Sequence, residues 1–375
     1  MKYVHIVAVT AVLAASACVA AGVSAPKAGI RQPAVAGQFY PSDPTKLSNA
    51  IDLFLDSAVP PVPGRPLAVV APHAGYVYSG QIAADAFKQA ESHDYDLVVI
   101  LGTNHTTAGF GVVSIYSGGG YKTPLGTAAV DEKLAADLIA ADEDFTYVPS
   151  VHEREHSVEV QVPFVQILFP AAKLLTAVLG SDDPGLCSRF GQALAERIAD
   201  RKALVVASTD LSHYPKYRDA CDIDRSTLRT ICDLDALEFH AATAERIISY
   251  ANSGDAAFGT RDRVVGYGAV AFLGGPPNGC SVPDDPLASD GAGVEELPGS
   301  DKKALLEFAR RSIRQFLDSD TTPLARGFDP RLRRRSGVFV TLRENGELRG
   351  CIGRMTDDLP LCQTVGYCAV QAAFN

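Results

Sequence analysis

Between Arg31 and Gly275, short runs of uninterrupted apolar residues alternate with stretches of helical periodicity. The apolar runs are Leu67–Ala71, Asp96–Gly102, Leu174–Leu179 and Ala203–Ser208. A strand that is apolar at nearly every position fits burial on both faces, between two helical layers. Helical patterns fall at Gly80–Gln89, Asp131–Ala141, Leu186–Ala199 and Asp224–His240. The alternation predicts an α/β fold, a sandwich around a largely parallel or mixed sheet.

The pattern stops at Gly274–Ser300, a stretch rich in Gly, Pro, Asp and Ser that reads as a linker over residues 276–299. An amphipathic helix over Lys302–Leu317 follows, with Leu305, Leu306, Ala309, Ile313 and Phe316 at helical spacing. Gly337–Leu342 and Gly346–Ile352 are strand-like, and Asn345-Gly346 between them is a hairpin signal. A last helix over Leu361–Asn375 completes a small α+β unit over 300–375, whose marginal core reads as that of a shortened domain. At the other end, Lys2, the apolar stretch Ile6–Ala15 and the small residues before Cys18 predict a secretory signal peptide over residues 1–25. Export places the protein in the periplasm or cell envelope, with Cys18 an alternative lipid anchor and the cytoplasm its location if the segment is not used. No later stretch is long and apolar enough to span a membrane.

Charge and composition narrow the classes. The chain has 375 residues, with 34 Lys and Arg against 44 Asp and Glu, a net charge of −10. Hydrophobic residues make up 47% and charged residues 21%, which excludes disorder or a fibre as the main state. The acidic balance argues against non-specific nucleic-acid binding, which needs a basic face. Eight cysteines in this length are too few for a disulfide scaffold. Cys221 and Cys232 could pair after export, Cys187 and Cys280 carry no signal, and Cys351 reads as a buried thiol beside a tight turn. The basic run Arg331–Arg335 reads as a solvated loop.

Histidine placement carries the chemistry. Three apolar runs end in segments presenting a histidine: His73 in PHAGY, His105 in GTNH, and His213 in STDLSHY with Asp210. In open α/β sheets ligands bind beyond the carboxyl ends of the strands, so these histidines are expected to share one crevice. Imidazole is the commonest metal ligand and the acid–base group that works near neutral pH. A further segment holds His152, Glu155, His156 and Glu159 before a helix that Pro163 kinks or restarts. Glu159 reads equally as a site carboxylate and as a partner within its helix. His5 lies in the export segment, and His93 and His240 sit in polar helical surroundings.

The motifs PAVAGQFYP (33–41), APHAGYVYSG (71–80), LGTNH (101–105), EHSVEVQVPF (155–164) and STDLSHY (208–214) resemble the Memo family, protein B of the AmmeMemoRadiSam system. GVFVTL (337–342) and LRGCIG (348–353) resemble the AMMECR-type domain, protein A of that system. The resemblance implies a Memo-like domain over 30–275 fused to an AMMECR-like domain that ends before its usual C-terminus. It also implies a fold similar to class III extradiol dioxygenases, in which two His and a carboxylate hold non-haem iron, and a radical SAM partner protein. In the family pattern two His and one Cys bind metal. His73 and His105 match the two His, and His213 matches a further His facing the site. The Cys belongs in a Cys-Gly-x-Gly segment before a helix, where this chain has Val265-Gly266-Tyr267-Gly268. Valine cannot ligate, so the metal, iron or copper ahead of zinc, is expected to be weakly held by His73, His105 and His213.

Three functions follow from these residues. The first is dioxygen-dependent or redox chemistry on a small molecule, with Asp210 orienting His213 and Glu155 or His156 moving protons. The second is a non-catalytic pocket for a peptide or small anion, to which the missing Cys lends weight. The third is a metal-dependent hydrolase. Whether the chain is an enzyme turns on the ligand that Val265 replaces.

Overall fold

The computed structural model describes residues 29–181, 183–233, 243–274, 297–355 and 359–374. The expected signal peptide with Cys18, nearly all of the expected linker with Cys280, and His240 lie outside the described residues, as does the side chain of Cys232. The chain opens with β1 (Ile30–Arg31), α1 (Pro44–Asp56), β2 (Pro66–Ala71), α2 (Tyr76–Lys88) and β3 (Leu97–Thr103). Short strands β4 (Val113–Ile115), β5 (Gly120–Thr123) and β6 (Gly126–Ala129) precede α3 (Glu132–Ile139) and β7 (Phe145–Thr146). Three short helices follow, α4 (Pro149–Glu153), α5 (His156–Glu159) and α6 (Val162–Leu168). Then come β8 (Lys173–Leu179), α7 (Pro184–Ile198), β9 (Ala203–Ser208), α8 (Tyr217–Asp233), β10 (Thr243–Asn252) and β11 (Gly266–Gly274). The last elements are α9 (Gly299–Ser319), β12 (Val338–Glu344), β13 (Glu347–Arg354) and α10 (Leu361–Phe374).

The main sheet has eight strands in the order β10-β11-β2-β9-β3-β8-β4-β7. The four apolar runs of the sequence are its centre, β2-β9-β3-β8, and all three of their pairings are parallel. β11 and β4 join this centre antiparallel on either side, so the sheet is mixed. Alternate side chains serve opposite layers, as the pleat requires. In β3, Val98 and Ile100 pack with α1, α2 and α6, whereas Leu97 and Val99 pack with α3 and α7. Pro163 restarts a helix, taking the first turn of α6.

Some boundaries differ from the sequence pattern. The helix expected at Asp224–His240 is α8, which starts at Tyr217. Its inward stripe is Tyr217, Ala220, Cys221, Asp224 and Leu228, and the polar Asp224 hides it. Asp224 is buried because it accepts the Ser212 N–H and the Tyr250 hydroxyl. The segment after Val265 is the strand β11 where the family resemblance implied a helix.

The C-terminal unit packs α9 against α10 and lays α10 on the β12–β13 hairpin. Asn345 and Gly346 both take positive φ, 52° and 89°, which a two-residue type I′ turn demands. Cys351 is exposed rather than buried, because α10 covers the other face of the hairpin; its sulfur lies 3.2 Å from Thr341 Oγ1. Arg331 in the basic run pairs with Asp329 at 3.0 Å. The unit docks on α1 and α2. Arg326 donates to the fully buried Asp85 at 2.7 and 3.1 Å, and Lys46 pairs with Asp320 at 2.7 Å. Gln363 donates to the carbonyls of Gly254 and Ala256. Among the described residues, no helix is long and apolar enough to cross a membrane.

Candidate metal centre

β9 lies between β2 and β3, so the loops leaving β2 and β3 flank the end of β9. The first loop carries His73 and the second His105. The third side is closed by α5, which begins at His156. Gly102 makes that approach feasible, because a Cβ there would lie 2.4 Å from Ser157 Oγ. Ser157 uses the space to donate to the Thr103 carbonyl at 2.9 Å, pinning α5 to the end of β3. The result is a cluster of His73, His105 and His156 whose ring nitrogens offer one donor atom each, all within 4.8 Å of one another. Ring centroids are 5.0 Å apart for His73 and His105, 5.5 Å for His73 and His156, and 4.4 Å for His105 and His156.

Hydrogen bonds fix two of the three tautomers. Ser208 Oγ donates its one proton to the Ser157 carbonyl at 2.6 Å and accepts from Gln161 Nε2 at 2.8 Å. Toward His73 Nδ1, 3.2 Å away, it can only accept, so His73 carries its proton on Nδ1 and keeps a lone pair on Nε2. Glu155 does the same for His105, whose Nδ1 lies 2.9 Å from Oε1. Burial, together with the neighbouring His105 and His156, pushes His73 down to about 3, so its ring is neutral. Burial also lowers His156. His105 is raised, first by its hydrogen bond to Glu155.

Glu155 was expected to move protons, and its surroundings give it a different task. Burial pushes its carboxyl up, but N–H groups of His105 and Ser157 hold it at about 2 overall. It is a permanent anion that caps α5 and orients His105. Asp210 makes no hydrogen bond to His213 among the described residues; its Oδ1 accepts the His73 backbone N–H at 2.8 Å, and burial raises its carboxyl to about 6 against the opposing pull of that N–H and of His213. His213 stands apart from the cluster. Its ring is exposed and hydrogen-bonded at Nδ1 to the Leu211 carbonyl, because the chain after β9 pairs as an extended segment with residues 264–266 and carries the ring outward. Val265 sits opposite His213 in that pairing, half-buried against the main core.

The remaining expected residues fall in a second buried network. His152 has Nε2 2.9 Å from Ser114 Oγ and Nδ1 3.2 Å from the Tyr121 hydroxyl. Glu159 pairs outside its helix, with Arg31 at 2.6 Å, and accepts from Tyr40 and from the backbone of Ala34 and Val35. Sequence reasoning missed Ser208, Gln161 and Arg31. The signal for Ser208 was present, as a hydroxyl closing an otherwise apolar strand beside the histidine loops.

A cleft of about 620 Å³ opens at the carboxyl ends of β3, β8 and β9, lined by Thr103, Asn104, Gly180, Ser181, Ser208 and Thr209; the three histidines are not in its lining. A ring whose proton is held on Nδ1, as at His73 and His105, has Nε2 as the nitrogen left to ligate an ion. An all-imidazole set suits iron, copper or zinc alike. Tetrahedral ligands at about 2.0–2.1 Å from an ion lie about 3.3 Å apart, so the donor set fits after a modest closing of the rings.

The molecule can now be set beside known proteins. A family model described as Memo-like protein matches residues 31–246, and one described as AMMECR1 matches residues 306–375. A MEMO1 family protein of Caldivirga maquilingensis is 33% identical over 279 residues, covering 64% of this chain and 98% of that protein. One of Methanopyrus kandleri is 34% identical over 292 residues, covering 65% and 99%. One of Thermotoga maritima is 35% identical over 259 residues, covering 65% and 87%.

Proposed function

The chain belongs to the Memo family, and we propose that its His73, His105 and His156 hold one transition-metal ion, iron or copper ahead of zinc, for redox chemistry on a small organic molecule. The observation that carries this is the pair of locked tautomers, with Ser208 and Glu155 each taking an Nδ1 proton and leaving the other nitrogen to ligate. His156 supplies the third donor that Val265 cannot. When bound, the ion supplies a Lewis acid and, as iron or copper, a redox centre with positions left for dioxygen and substrate. Asp210, raised to about 6, is poised to take or give a proton near neutral pH. The substrate approaches from the carboxyl ends of the central strands, where the cleft also opens.

The test is metal content by elemental mass spectrometry after anaerobic purification, with calorimetric titration of iron(II), copper and zinc. About one ion per chain is expected in the parent and none in His73→Ala. His213→Ala should bind as the parent does; loss of binding there would return His213 to the ligand set.

A further inference from the structure

His156 and Glu155 stand on a short stretch between two abbreviated helices. α4 ends at Glu153, and α5 runs only from His156 to Glu159. Besides the Ser157 bonds to the ends of β3 and β9, a grip comes from the first strand, more than a hundred residues upstream. We infer that Arg31 is a positioning residue of the metal centre, fixing the backbone that carries His156 and Glu155. The inference rests on the metal-binding reading above and names the group that gives that site its shape.

Arg31 is buried, 7% exposed, and its guanidinium is almost wholly spent on this one segment. Nε donates to the His152 carbonyl at 2.7 Å, and Nη2 to the Glu155 carbonyl at 2.7 Å. The second of these belongs to the peptide that joins Glu155 to His156. Nη1 donates to Glu159 Oε2 at 2.6 Å and to the Gln32 carbonyl at 3.1 Å. One rigid fork therefore ties down the segment before, at and after the ligand. Glu159 is itself immobilised by Tyr40 at 2.6 Å and by the amides of Ala34 and Val35. The same N-terminal stretch lays Phe39 on the His156 ring, with centroids 4.7 Å apart.

Only arginine fits this task. A lysine could keep the charge opposite Glu159, but a single ammonium cannot reach both carbonyls and the carboxylate in the fixed directions of the fork. Arg31 is not one of the clustered donors, so it acts through Glu155 and His156.

Full-length Arg31→Gln, Arg31→Lys and Tyr40→Phe, with Lys46→Gln, at an exposed ion pair, as a control, would be compared by two measurements. The first is cobalt(II) titration followed by its visible spectrum, which reports coordination geometry. The second is the imidazole ¹⁵N spectrum of the metal-free proteins, which reports the His105 tautomer. Arg31→Gln is expected to lose cobalt affinity by about 10–100-fold, the range for lost supporting partners, with altered visible bands and mixed tautomers at His105. Arg31→Lys should not restore either signal. Tyr40→Phe, which keeps its ring and removes one bond to Glu159, should show a smaller change in the same direction and decides the matter if Arg31→Gln does not fold. Lys46→Gln should match the parent, since exposed ion pairs contribute little. Parental spectra from folded Arg31→Gln, or from Tyr40→Phe where Arg31→Gln does not fold, would overturn the inference. A parent that takes up no cobalt would overturn the metal reading instead, and the ¹⁵N tautomers would still judge Arg31.

Discussion

His73 and His152 sit in neighbouring parts of one core, each only 2% exposed, and burial drives both rings down to about 3. Their surroundings differ in what is left over. His152 spends both nitrogens within the protein, on Ser114 and Tyr121. His73 spends Nδ1 on Ser208, and its other nitrogen makes no hydrogen bond among the described residues. The first arrangement is a satisfied polar knot that braces the fold; the second leaves one ring nitrogen without a hydrogen bond among the described residues. A depressed titration alone does not separate them, since burial produces it in both places. The unspent lone pair does.

Substitution at the two histidines should break the comparison most sharply. His152→Ala leaves a cavity and strips a partner from two buried hydroxyls, for an expected loss of about 3 kcal/mol or more in urea unfolding. Its zinc affinity should stay within a few-fold of the parent. His73→Ala should reverse the pattern, with the smaller stability cost and no measurable metal binding. Equal losses of both properties in both variants would erase the distinction.

Acid should sharpen it. Each ring has a folded value near 3 against an ordinary 6.5, so between those values the unfolded chain binds the extra proton. Stability contributed by each neutral ring is therefore intact above about 6.5 and falls as pH drops toward 3, at about 1.4 kcal/mol per pH unit for each ring. The His152→Ala protein should show a shallower fall than the parent by about that slope, measured by urea midpoints from pH 7 to 4.

The smallest effect concerns the tautomer lock. Ser208→Ala frees the His73 ring to protonate on either nitrogen, and zinc affinity should drop about tenfold by calorimetry. The His152 side of the core should register nothing.

His73 and His105 were legible because the ends of buried parallel strands are where such folds bind ligands, and both strands announced themselves as apolar runs. His156 was visible as a residue type but not as a member of the cluster, since its approach depends on Gly102 leaving room for Ser157. His213 misled for a related reason. It follows a strand end like the others, yet the pairing of residues 211–214 with 264–266 carries it to the surface. Arg31 was beyond reach altogether, because its partners lie 121 to 128 residues downstream. Strands β10 and β11 escaped notice because their alternation of small, polar and apolar residues does not stand out as the four central runs do.

One contact between the two units has a bearing on how the chain melts. Asp85 is a fully buried carboxylate in the Memo-like body, and its cation partner among the described residues, Arg326, belongs to the C-terminal unit. Removing one partner from a buried ion pair commonly costs about 3–5 kcal/mol. Separation of the units would leave that anion stranded in the body, so undocking and unfolding are energetically joined, and heat should disrupt the chain as one cooperative block. With Asp85 made neutral the two units could part at lower cost, so one side chain sets how far the fusion behaves as a single body rather than a loose tether.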